Sequence, residues 1–113
     1  MSVALVLKGM IWFDDDGLNK TKIKRAIKRT KTDGDELIIE FIYDGGGYTA
    51  CLQNKKGNKY EGYYLYQGEK YQEKISCKVY SYENTMFVHG KWLEDNQDSV
   101  WYCELQIASR EVI

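Results

Sequence analysis

Turn-forming residues recur at short intervals along most of this 113-residue chain, which leaves room for strands and hairpins rather than long helices. The clusters are Thr32-Asp33-Gly34-Asp35, Asp44-Gly45-Gly46-Gly47, Lys56-Gly57-Asn58, Gln67-Gly68-Glu69, Glu83-Asn84 and Glu94-Asp95-Asn96-Gln97-Asp98. Gly, Asn and Asp mark turns because they tolerate positive φ or bond their own backbone. Connections this short suit antiparallel hairpins, so a meander is the expected topology.

The segments between these clusters alternate with period two. Leu37, Ile39, Phe41 and Tyr43 share one face of a strand. Ile75, Cys77 and Val79 alternate with Lys74, Ser76 and Lys78, and Trp101, Cys103, Leu105 and Ile107 alternate with Tyr102, Glu104 and Gln106. This pattern arises when one sheet face packs a core and the other meets water. Segment 84–94 is mixed, with Met86, Val88 and Trp92 on one face and Phe87 and Leu93 on the other. Val3 to Phe13 is apolar on both faces, as expected of a long, well-covered strand.

Residues 18–31 break the alternation. Ile23, Ala26, Ile27 and Thr30 recur at helical spacing, and Asp16 is a suitable N-cap behind Asp14 and Asp15. The spacing predicts a short basic helix. Read as an edge strand instead, the segment places Ile23, Arg25, Ile27 and Arg29 on one face. The fold expected is therefore mainly β. It is an antiparallel meander of about seven strands forming a curved sheet or small barrel, with one short basic helix after the first strand. A chain of this length makes one domain, spanning residues 1–113.

Three short stretches echo one another: Gly62-Tyr63-Tyr64-Leu65, Gly90-Lys91-Trp92-Leu93 and, more loosely, Gly9-Met10-Ile11-Trp12. A glycine inside a strand marks a bulge or bend of the kind that curves a sheet toward closure. Gly90 and Trp92, a short acidic turn, and then Trp101 and Leu105 make a hairpin that resembles those of small calycin-like barrels, the lipocalin-like meanders. The resemblance covers about a fifth of the chain. It implies a barrel with a ligand-sized interior and names no ligand.

Charge is distributed unevenly. Residues 17–32 carry seven cations (Lys20, Lys22, Lys24, Arg25, Lys28, Arg29, Lys31) and no acid, against nine cations and seventeen acids elsewhere. Such a segment suits an acidic protein partner, with Lys24, Arg25, Lys28 and Arg29 as the contacting residues. The acidic remainder speaks against nucleic acid, whose backbone calls for a positive field over a wide surface. A solvated face offsetting an acidic body explains the same run. The tyrosines are the second feature: Tyr60, Tyr64 and Tyr66 share a face with Gly62, Tyr63 lies opposite, and Tyr80 and Tyr82 end the next strand. They fit cross-strand pairing, base stacking, or the lining of a barrel.

Evidence for chemistry is thin. As a calcium loop, Asp14-Asp15-Asp16-Gly17 would put Trp12 in the first position and Ile23 in the twelfth, so the match fails. His89, Cys51, Cys77 and Cys103 lack the close spacing of a zinc site, and the odd cysteine count argues against a disulfide framework. The sequence assigns no catalytic residue, metal ligand or cofactor. It points to a non-enzymatic binding module. One form takes a small apolar ligand among Trp12, Tyr64, Tyr66, Trp92 and Trp101; another takes a partner protein on the surface. The alternatives are single-stranded nucleic-acid binding by segment 20–31 with the tyrosine-rich strands, and, last, a small enzyme. With no signal-peptide pattern and no apolar run of membrane-spanning length, the expected location is the cytoplasm.

Overall fold

The computed structural model describes residues 3–17, 19–94 and 96–112, without the side chains of residues 16, 70–73, 94 and 112. The described residues form eight strands: β1 (Val3–Phe13), β2 (Thr21–Arg29), β3 (Glu36–Tyr43), β4 (Gly46–Lys56), β5 (Lys59–Tyr66), β6 (Glu69–Tyr82), β7 (Thr85–Glu94) and β8 (Gln97–Val112). Each pairs antiparallel with the next, and β8 returns to pair with β1, so the meander closes into a barrel. Closure removes the free strand edges of an open sheet.

The strand count exceeds the seven read from the sequence because segment 18–31 contributes β2 rather than a helix. The helical spacing has a specific cause. Against β3, Ile23 pairs with Phe41 and Arg25 with Glu40, so one extra residue is inserted on β2. This bulge lets Ile23 and Ala26, three positions apart, both enter the core, which mimics one face of a helix. Ile27, also on the expected helical face, pairs with Val6 and Ile38 on the outer side, and Thr30 lies beyond the end of β2. β2 is also not an edge, since β1 and β3 flank it.

Asp14–Asp16 is not a helix cap but a single 3-10 turn closed by Gly17 in the left-handed region, at φ 62°. Its acids tie the β1–β2 connection to β8. The Val100 amide donates to Asp14 Oδ1 at 2.9 Å, and the Ser99 hydroxyl donates to Asp15 Oδ2 at 2.8 Å.

The three Gly-x-aromatic or Gly-x-aliphatic echoes share one structural role. A Cβ at Gly62 would lie 1.8 Å from the Cys51 carbonyl oxygen, and one at Gly90 would lie 1.9 Å from that of Ser76. Gly9 is equally close to Glu104. At these points neighbouring strands approach too closely for any side chain, and the sheet bends. Two residues after each glycine, Ile11, Tyr64 and Trp92 enter the core.

Eight strands make an interior just wide enough for side chains to fill or for one small ligand. Here rings fill it. Trp92 stands at the centre, with Phe13, Phe41, Tyr48, Tyr64 and Trp101 around it at centroid distances of 4.9–6.1 Å. Among the described residues no helix is long and apolar enough to cross a membrane.

Candidate functional site

The aromatic residues proposed from the sequence as one ligand-lining set are divided by the barrel wall. Tyr64, Trp92 and Trp101 are buried inside. Tyr66 packs on the edge of the core beside Tyr48, 4.9 Å away. Near that end a groove of about 370 Å³ is bordered by Phe41, Tyr48, Glu40, Lys24 and Gln67. Trp12 alternates with the core residues Ile11 and Phe13 and lies on the outer surface.

The basic residues also separate. Lys28 lies opposite buried Leu37, and its Nζ is 3.6 Å from Asp35. Arg29 and Lys31 both reach Glu36, at 3.4 and 3.1 Å. The hairpin that begins β3 thus neutralises the end of the basic segment. Lys24 and Arg25, at the bulge, are exposed to solvent.

The outer surface holds an arrangement that sequence reading missed. Strand pairing aligns Lys59, Lys78, His89, Tyr102 and Trp12 in one row across β5, β6, β7, β8 and β1. The rings of Trp12 and Tyr102 are 5.7 Å apart and within 14° of parallel, and those of Tyr102 and His89 are 5.1 Å apart and within 23°. Lys20 caps the far side of Trp12 with its ammonium 4.9 Å from the ring, at cation–π distance. The stack of three rings therefore has a lysine at one end and two lysines beyond the other.

The adjacent outer row is Tyr80, Phe87, Glu104, Met10 and Lys22. Tyr80 and Phe87 are 48% and 46% exposed, so a large apolar area faces water. Where Gly90 bends the sheet, a groove of about 530 Å³ opens along the His89 end of the stack. Its walls include Lys59, Lys78, Lys91, Tyr80 and His89. Around the stack, five lysines (Lys20, Lys22, Lys59, Lys78, Lys91) face three acids, Glu61, Glu104 and Asp14, the last held by the amide of groove-lining Val100. No single segment revealed this surface, because its members come from six places in the chain.

Of the thiols, only Cys77 reaches this surface, where it forms part of the floor of the groove at Gly90. Cys77 and Cys103 are buried on the inner face, while His89 projects outward from the strand between them. Burial pushes the Cys77 thiol up to about 12 and that of Cys103 well above the ordinary value. A buried thiol held protonated is a poor nucleophile. All three cysteines are free. Among the described residues no three His, Cys, Asp or Glu side chains gather as a metal site. Comparison of the chain with protein-family models, curated proteins and solved structures gives no match.

Proposed function

We propose that the protein is a non-enzymatic binding module that meets its partner on the outer surface of the barrel. The packed interior carries this reading. A small apolar ligand would have to displace Phe13, Phe41, Tyr48, Tyr64 or Trp101 from around Trp92, where these rings fill one another's space. The calycin-like likeness supports a meander barrel but carries no ligand to this chain. The exposed Tyr80, Phe87 and the ring row supply the kind of aromatic surface that anchors partners. An acidic partner on Lys24, Arg25, Lys28 and Arg29 is less favoured, because Lys28 and Arg29 already face Asp35 and Glu36. Three unpaired cysteines suit a reducing compartment such as the cytoplasm.

Native mass spectrometry of the protein recovered from its host tests the reading. The expected result is the bare chain mass, or the chain with a macromolecular companion. A small-molecule adduct that survives gentle ionisation and vanishes on denaturation would place the ligand inside and overturn it.

A further inference from the structure

We infer that the outer ring row is a binding face for single-stranded nucleic acid, an inference that rests on the surface-binding reading above. Three observations converge on that occupant. First, the stack Trp12, Tyr102, His89 is a run of near-parallel rings whose His89 end borders the groove at Gly90. A base entering that groove extends the stack by one ring. Second, lysines stand where a backbone would run: Lys59, Lys78 and Lys91 line the groove and Lys20 covers the opposite end. The row itself contains no acid from Lys59 to Trp12. Third, the row spans five strands, roughly 19 Å along the surface at the usual strand spacing, room for a short run of nucleotides.

Aromatic rings flanked by cations suit a single strand, because every base has a π-face to stack and every linkage a charge to neutralise. A duplex hides those π-faces within its own stack. An acidic protein surface would meet the lysines but leave the groove-side face of His89 without a planar partner. Tyr80 and Phe87, beside the row, extend the stacking surface. The acidic remainder of the chain opposes this, and the local excess of five lysines over Glu61, Glu104 and Asp14 is what offsets it at the row.

Fluorescence anisotropy of labelled oligo-dT and oligo-rU of about 15 nucleotides tests the inference with the full chain at about 50 mM salt. Both single strands are expected to bind, a matching duplex more weakly, with affinity falling linearly in log salt. Lys59→Glu with Lys78→Glu should weaken binding at least about tenfold, and His89→Ala by roughly 5- to 100-fold. Lys24→Glu with Arg25→Gln, away from the row, should stay within about threefold of wild type. Circular dichroism and urea midpoints establish that each variant is folded. Failure of both single strands to bind, or wild-type affinity in both row variants, overturns the inference. If the oligonucleotides fail while native mass spectrometry shows no small molecule, nucleic acid is excluded and surface binding stands. A ligand found inside the barrel overturns both.

Discussion

Trp101 and Gly90 face each other across β8 and β7, and both act on the same carbonyl. The Trp101 indole N–H donates to the main-chain oxygens of Ser76 and Lys91, at 3.2 Å each. A Cβ at Gly90 would lie 1.9 Å from that Ser76 oxygen and 2.6 Å from the Cys77 Cα. Gly90→Ala must therefore move backbone on a neighbouring strand, and a loss of at least about 3 kcal/mol is expected. Trp101→Phe keeps a ring but removes the donor, for about 1–3 kcal/mol. Urea denaturation of the two variants checks the order. A Gly90→Ala midpoint equal to that of wild type would show that the close approach is not a constraint.

Alkaline pH should destabilise the fold. Burial pushes the Cys77 thiol up to about 12, and burial followed by the nearby Asp35 and Cys77 raises the Tyr60 hydroxyl to about 12. The unfolded chain releases these protons near the ordinary values while the native chain keeps them, so stability falls as pH rises. The contribution is fully present below about pH 8.5 and is lost between there and about pH 12. The slope is on the order of 1 kcal/mol per pH unit for each group. Urea midpoints between about pH 7 and pH 11 measure it, and Cys77→Ala should flatten the profile. A level wild-type profile over that range would contradict the burial of these groups.

The barrel was legible in the sequence where local rules act alone. The alternation around Ile75 and Trp101 marks the inner face, and the glycine echoes at Gly62 and Gly90 mark real bends. β2 was misread because a bulge at Lys24 and Arg25 places Ile23 and Ala26 three positions apart on one face of the sheet, a spacing that periodicity assigns to a helix. Trp12 reads as inward because its neighbours Met10, Ile11 and Phe13 are apolar, and only the register with Tyr102 reveals a ring on the outside. The candidate surface was illegible for the same reason. Lys59, Lys78, His89, Tyr102 and Trp12 meet by strand pairing, and register is a property of the whole barrel rather than of any one segment.

The three thiols should report their positions by reactivity. Cys51 is half-buried on the wall beside Tyr63, whereas Cys77 and Cys103 are inside. A chromogenic disulfide reagent should label Cys51 alone in the native state, and slowly, because burial also raises its thiol. All three should react in denaturant. Cys51→Ser should abolish native labelling. Rapid native labelling of Cys77 or Cys103 would show that the barrel opens far more readily than its packing implies.

Charge reversal should divide the basic strand into two energetic classes. Lys24 and Arg25 are exposed at the bulge, so Lys24→Glu with Arg25→Gln should change stability by less than about 0.5 kcal/mol. Lys28 and Arg29 sit 3.6 Å from Asp35 and 3.4 Å from Glu36, so Lys28→Glu with Arg29→Glu sets like charges side by side. That pair should lose about 1–2 kcal/mol, since it forfeits two partly exposed attractions and adds repulsion across paired strands. Raising the salt should narrow the gap between the two variants, because these charges lie within reach of screening ions. Equal urea midpoints at low salt would show that the Asp35 and Glu36 pairs contribute nothing. The whole segment would then be one solvated surface, and Lys28 and Arg29 would again be open to an acidic partner.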